Sequence, residues 1–130
     1  MKLNRTTSYG LLAVAYLGEE GRLKLDTPSH VIAQKCDIPT RFLLKILVQL
    51  VRARIVLAKK GPGGGFRLAR KPESISVLEI FETLNGPIST PLNSKSNTIG
   101  TEIDRVVRRI NQALRKYLGS IMAAELVTKK

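Results

Sequence analysis

Arg41, Lys45, Lys59, Lys60 and Arg67 flank a glycine turn, Gly61-Pro62-Gly63-Gly64-Gly65. Side chains of these types hold phosphate oxygens, and a guanidinium can also grip O6 and N7 of a guanine as a fork. Gln49 adds an amide that can pair with N6 and N7 of adenine, although it stands more than two helical turns along its segment and reaches backbone more easily. Thr40 opens the same segment and offers a hydroxyl to cap it or to touch a phosphate or base. Arg5, with Lys2 and Thr7 beside it, is a further candidate for a phosphate. The expected polyanion-facing set is therefore Thr40, Arg41, Lys45, Gln49, Lys59, Lys60, Arg67 and Arg5, with Arg41 the first choice for reading a base.

No other chemistry competes with this one. The glycine turn lacks the Gly-x-x-x-x-Gly-Lys-Ser/Thr pattern of a nucleotide loop, and a strand rather than a helix follows it. His30 is the sole histidine, which leaves no histidine-centred triad and no multi-histidine metal site. No pair of carboxylates and no nucleophile with its base stands out, so the chain reads as a non-enzyme. Cys36 is the sole cysteine, which excludes an internal disulfide and a cysteine metal cage. Its stronger reading is a small packing residue; the lesser is a redox-sensitive thiol beside the binding surface.

The bulk charge agrees. The chain of 130 residues carries a formal net charge of +12, which favours a polyanionic partner. Distribution says more than the sum. Between Asp37 and Glu73 there is no acidic residue, while Arg41, Lys45, Arg52, Arg54, Lys59, Lys60, Arg67, Arg70 and Lys71 all fall there. A face kept basic only for solubility is usually interspersed with acids. No run approaches the ~20 apolar residues of a membrane span, and a cytoplasmic location is expected.

These side chains need elements to hold them. Arg5 to Leu17 reads as a helix with Tyr9, Leu12, Ala13 and Tyr16 at helical spacing and Leu11, Val14, Ala15 and Leu17 widening its apolar face, closed by Gly18 and Gly21. Thr27-Pro28 reads as the N-cap and first residue of a short helix ending near Asp37. After Ile38-Pro39, a second helix puts Phe42, Leu43, Ile46, Leu47, Leu50 and Val51 on its apolar side, and Arg41, Lys45, Gln49 and Arg52 on the other. Residues 55–70 read as a β-hairpin around the glycine turn, where glycine supplies φ > 0 and Pro62 rules out a regular ladder. Two helices joined by a tight turn, the second basic, followed by a hairpin, make a winged helix-turn-helix. Ser76 and Glu79 fit a capping box for a further helix that stops at Asn85-Gly86-Pro87. A linker rich in Pro, Ser and Asn leads to a final helix from Thr101 to Leu126, ~39 Å long. Its stripe of Ile103, Val106, Ile110, Leu114, Tyr117 and Ile121 is expected to be covered by a second copy of the chain, in preference to folding back on its own domain.

Ile38-Pro39-Thr40-Arg41-Phe42-Leu43-Leu44-Lys45-Ile46-Leu47-Val48-Gln49-Leu50, running into Gly61-Pro62-Gly63-Gly64-Gly65-Phe66-Arg67-Leu68, strongly resembles the Rrf2 family of bacterial winged-helix transcription regulators. Thr6-Thr7-Ser8-Tyr9-Gly10-Leu11 resembles that family's first helix, and Ser76 to Glu82 with Gly86-Pro87 resembles a later segment. The resemblance covers most of residues 1–87. It implies a homodimeric DNA-binding regulator whose long C-terminal helix crosses to the partner subunit. It also implies, for many relatives, an iron–sulfur cluster on three cysteines of the linker. Residues 87–100 here contain no cysteine, and thiolates are what hold such clusters, so no family-type cluster is expected.

The expected molecule is thus mainly α with a small β-hairpin. Residues 1–86 form the winged helix-turn-helix domain, 87–98 the linker, and 99–130 the long dimerisation helix and tail. Its expected partners are double-stranded DNA, a second copy of itself, and a small-molecule or protein effector gripped near the linker, with no membrane. It is expected to act as a repressor. The rival is a basic RNA-binding or adaptor module, disfavoured because residues 39–71 hold only Phe42 and Phe66 as stacking aromatics.

Overall fold

The computed structural model describes residues 4–88 and 98–127. Among these residues five α-helices and one antiparallel hairpin follow in the order α1 (Arg5–Leu17), α2 (Ser29–Cys36), α3 (Thr40–Arg52), β1 (Val56–Lys59), β2 (Gly65–Leu68), α4 (Val77–Asn85) and α5 (Thr98–Ser120). Residues 89–97 of the expected linker, together with Lys2 and residues 128–130, lie outside the described residues.

The main core forms where α1, α2, α3 and α4 meet, around Val14, Leu17, Ile32, Leu43, Leu47 and Leu50. In α3 the four core positions Leu43, Ile46, Leu47 and Leu50 recur at three, one and three residues, the stripe that one face of a helix presents. In α1 the buried positions are Thr7, Gly10, Ala13, Val14 and Leu17; Ala13, Val14 and Leu17 belong to the expected apolar face, whereas Leu12 is exposed. The cause is the approach of α4: a Cβ on Gly10 would overlap Leu84, so the glycine side of α1 is the side that α4 packs against. Asn4 caps α1 by accepting from the Thr7 N–H at 2.8 Å. Its amide also donates to Asn85, whose own amide donates to the Thr7 hydroxyl, so the start of α1 is tied to the end of α4.

The Ser76–Glu79 capping box is present: the Ser76 hydroxyl accepts from the Glu79 N–H at 3.1 Å, and Glu79 accepts from the Ser76 N–H at 2.9 Å. Thr27 does not cap α2 as expected. Pro28 occupies that position, and Thr27 is buried in a backbone pairing described below.

The last helix also differs from its sequence reading. It ends at Ser120, after which the chain turns back. The Val77 N–H donates to Ile121 at 2.8 Å, the Ala123 N–H donates to Ile75 at 2.7 Å, and Ala123 is fully buried in the main core. Gly119 and Ser120 are weak helix formers, and the burial and backbone pairing available beyond them outweigh one more turn. The apolar stripe is therefore divided. Leu114, Leu118 and Ile121 pack with Val77, Leu78 and Phe81 of α4 in a second cluster, so Leu114 and Ile121 lean on their own domain. Ile103, Val106, Ile110 and Tyr117 stay exposed, Ile110 at 58% and Tyr117 at 65%. Glu82 fastens α4 to α5 by pairing with Arg115, and it also accepts from the Ile88 N–H at 2.9 Å. No helix among the described residues is long and apolar enough to cross a membrane.

Candidate nucleic-acid interface

Helix α3 has one face left over once its core stripe is buried. At about 100° per residue, Thr40, Leu44, Val48, Arg41, Arg52 and Lys45 follow one another around that face, and all six are exposed. Gln49 lies at its margin and is half-buried. Thr40 is the first residue of the helix, and Pro39 rather than Thr40 is its cap. The Arg41 guanidinium carbon lies 4.9 Å from the centroid of the Phe42 ring. That contact draws the cation toward the protein surface through the ring quadrupole, while its N–H groups remain able to form a fork with a base.

The turn between α2 and α3 is tight. Asp37 closes α2 in the left-handed region with φ 55°, and the Ile38 N–H donates back to Ala33 at 2.9 Å. Ile38 is buried beneath the turn, which fixes the angle between the two helices.

The hairpin is in register Val56–Leu68, Leu57–Arg67, Ala58–Phe66 and Lys59–Gly65. Gly61 and Gly63 take positive φ, which lets the tip double back, and the Gly64 N–H donates to Gly61 at 2.9 Å. Lys59 and Lys60 are exposed at its base. The wing is not attached to the domain by α3 alone. Thr27 and Phe66 exchange backbone hydrogen bonds of 2.9 and 2.8 Å, so the segment entering α2 becomes a third short edge beside β2.

The nine cations between Asp37 and Glu73 divide by what they touch. Arg70 is structural: it pairs with Glu79 at 2.7 Å and donates to the Ser74 carbonyl at 3.0 Å. Burial alone would raise the Glu79 carboxyl, but the Arg70 guanidinium and the Ser76 N–H outweigh it and hold the group below its ordinary value. Arg67 pairs with Asp26 at 3.7 Å, so this expected wing contact is partly neutralised within its own chain. Arg41, Lys45, Arg52, Arg54, Lys59, Lys60 and Lys71 are exposed and make no ion pair among the described residues. Arg41, Lys45 and Arg52 lie on the outer face of α3, Lys59 and Lys60 on the hairpin, and Arg54 and Lys71 in the segments either side of it. Arg5 is exposed at the start of α1, and no contact places it beside α3 or the wing. His30 is exposed on α2.

Three parts of this surface are not declared by local sequence pattern alone. Leu44 and Val48 share the outer face of α3 with the cations; their spacing of three and four residues from Arg41, Lys45 and Arg52 was the available signal. The Thr27–Phe66 pairing left no local signature. The diversion of Arg67 and Arg70 into ion pairs follows from which acids the fold brings near them.

Cys36 is half-buried on α2, and its thiol reaches the Leu12 carbonyl at 3.8 Å. Burial pushes the thiol above its ordinary value, and nearby Glu19 adds to the effect against a smaller opposing pull from Arg22. Those are the surroundings of a protonated packing residue rather than of an activated thiolate.

The family model described as Rrf2, iron-dependent transcriptional regulator, matches residues 3–129. A relative from Synechocystis, named as an HTH-type transcriptional regulator, slr0846, is 34% identical over 133 residues, covering 97% of this chain and 87% of its own. BadM of Rhodopseudomonas palustris, likewise named as an HTH-type transcriptional regulator, is 39% identical over 81 residues, or 62% of this chain. That match spans about half of BadM's own length, 51%. Among solved structures, CymR (YrzC), described as the global cysteine regulator of B. subtilis, superposes with a TM-score of 0.79 over 97% of this chain and 95% of its own, at 24% identity. At that identity the likeness is one of fold.

The iron in the family's description has no matching ligand set here. A single thiol, half-buried on α2, is the whole cysteine content of the chain. Among the described residues no three His, Cys, Asp or Glu side chains are grouped to hold a metal ion. A three-cysteine cluster does not fit this chain.

Proposed function

The chain belongs to the Rrf2 family of transcriptional regulators, and from that membership and its surface we infer that it is a homodimeric, sequence-specific DNA-binding repressor working without an iron–sulfur cluster. One observation carries the reading: the outer face of α3 exposes Arg41, Lys45 and Arg52, the hairpin continues them with Lys59 and Lys60, and the pairing of Thr27 with Phe66 ties the hairpin to the helix-turn-helix. A helix of this width enters the major groove, and a wing anchored beside it lies along the flanking backbone. In this arrangement Arg41, with Thr40 and Lys45, faces base edges, Gln49 reaches the margin, and Lys59 and Lys60 hold phosphates. Arg67 contributes by exchanging Asp26 for phosphate, and Arg5 adds a phosphate contact only if the duplex extends past α1.

Dimerisation is supported by the part of α5 that its own domain leaves bare. Ile103, Val106, Ile110 and Tyr117 recur at three, four and seven residues along one side, a stripe that an equivalent helix covers well. Residues 1–86 then serve as the reading domain, 99–130 supply the dimer, and 87–98 join them. An effector, a small molecule or a protein, would act at that junction, where Glu82 links α4, Ile88 and α5. The protein would act in the cytoplasm, at the chromosome.

A competition assay among duplex DNA, structured RNA and single-stranded DNA tests the reading. Preference for a duplex of particular sequence supports it. Preference for RNA or single strands returns the chain to the rival class of basic RNA-binding or adaptor modules.

A further inference from the structure

Leu44 and Val48 are the unexpected residues on the outer face of α3. They are 44% and 50% exposed, in the middle of the surface proposed above to meet DNA. Around the helix they lie between Thr40 on one side and Arg41, Arg52 and Lys45 on the other, so a ligand gripped by the cations is pressed against them.

We propose that Leu44 and Val48 read thymines, by packing on the C5-methyl groups that thymine presents in the major groove. This rests on the DNA-binding reading and names what part of the site recognises. The methyl is the one apolar feature on the major-groove edge of a base pair, and it distinguishes thymine there from every other base. The two side chains are four residues apart, about 6 Å along the helix axis, so they address neighbouring base pairs rather than one. A second copy of the chain is a poor occupant for this patch. Arg41, Lys45 and Arg52 would face their own counterparts across such a contact, with no acid between residues 38 and 72 to offset them. A duplex supplies both the opposite charge and the apolar spot.

The test begins with a duplex selected by the wild-type protein from a random pool. Each thymine is then replaced singly by deoxyuridine, which removes the methyl and keeps the hydrogen-bonding edge. The expected result is a loss of affinity of about three- to tenfold at one or two positions in each half-site and none elsewhere. Leu44→Ala and Val48→Ala, both on the helix surface, should each abolish the sensitivity at one such position, so that the variant binds the thymine and deoxyuridine duplexes equally there. Uniform indifference to deoxyuridine, with duplex preference intact, overturns this proposal alone. So does an equal penalty in the wild type and both variants. If the wild type selects no duplex at all, the DNA-binding reading fails and this one falls with it. A change of oligomeric mass in Leu44→Ala or Val48→Ala would mark the patch as a protein contact and also overturn it.

Discussion

The backbones of Thr27 and Phe66 are hydrogen-bonded to each other in both directions, at 2.9 and 2.8 Å, although the two residues are far apart in sequence. This pair ties the wing to the segment that leads into α2, so that hairpin and helix-turn-helix are joined by backbone hydrogen bonds. Gly65 lies flush against the Thr27 backbone with φ 152°, and a Cβ there would overlap the Thr27 carbonyl. Gly65→Ala is therefore expected to lower stability by about 1–3 kcal/mol in urea denaturation and to weaken duplex binding. Gly21→Ala, where a Cβ meets nothing within 4 Å, should stay within about 0.5 kcal/mol of the wild type.

Arg41 and Lys60 should fail in different ways. Arg41→Ala is expected to cost about 1–3 kcal/mol on the preferred duplex and to relax one base preference. Lys60→Ala should weaken all duplexes alike and reduce the slope of log K against log salt by about 1. Anisotropy titrations across a salt series distinguish these outcomes, and unchanged base preference in Arg41→Ala would remove it from the readers.

Glu79 gives the fold a defined acid sensitivity. Its carboxyl is held below its ordinary value by Arg70 and the Ser76 N–H against the opposing effect of burial. A group depressed in this way stabilises the native state above the unfolded-chain carboxylate range, and that stability is lost as pH falls through the folded value. Glu79→Gln should lower the urea midpoint near neutral pH, and the gap to the wild type should close on acidification. Ser76→Ala, which removes the other half of the box, should cost about 1 kcal/mol at neutral pH.

Ile110 tests the bare stripe of α5. It is exposed and takes no part in either core cluster, so Ile110→Lys should leave the helical content unchanged. Sedimentation velocity should show the wild type as a dimer and Ile110→Lys as a monomer, with duplex affinity reduced at least tenfold. A variant that remains a dimer would place the contact elsewhere.

Cys36 is expected to be a bystander in redox control. Its thiol is pushed up by burial and faces the Leu12 carbonyl. Duplex binding should be the same before and after mild peroxide treatment, in the wild type and in Cys36→Ser. An oxidant-dependent loss in the wild type that Cys36→Ser lacks would make the thiol a sensor.

What was legible in the sequence was local. The Ser76–Glu79 box, the stripe of Leu43, Ile46, Leu47 and Leu50, and the glycines of the wing each declare themselves within a few residues, because one turn of helix or one tight turn sets their spacing. What was not legible depended on long-range partners. Thr27 left its expected capping role because Phe66, distant in the chain, offered its backbone. Leu12 faces out because Leu84 claims the Gly10 side of α1. Leu114 and Ile121 joined their own domain, and α5 stopped at Ser120, because Ile75 and Val77 provided backbone partners for the returning chain. At the candidate site, the cation face of α3 followed from periodicity. Its apolar middle and the pairing of Arg67 with Asp26 required the folded arrangement.

In a dimer, α3 and the wing, twice over, would read a two-fold duplex sequence. Selection from a random double-stranded pool at near-physiological salt measures it directly. An inverted repeat with half-sites about one helical turn, or a multiple of it, apart is expected to be enriched. The enriched duplex should be bound by two chains and at least about a thousandfold more tightly than shuffled sequence. Recovery of a pool no different from the starting one, with equal affinity for every duplex, would contradict it.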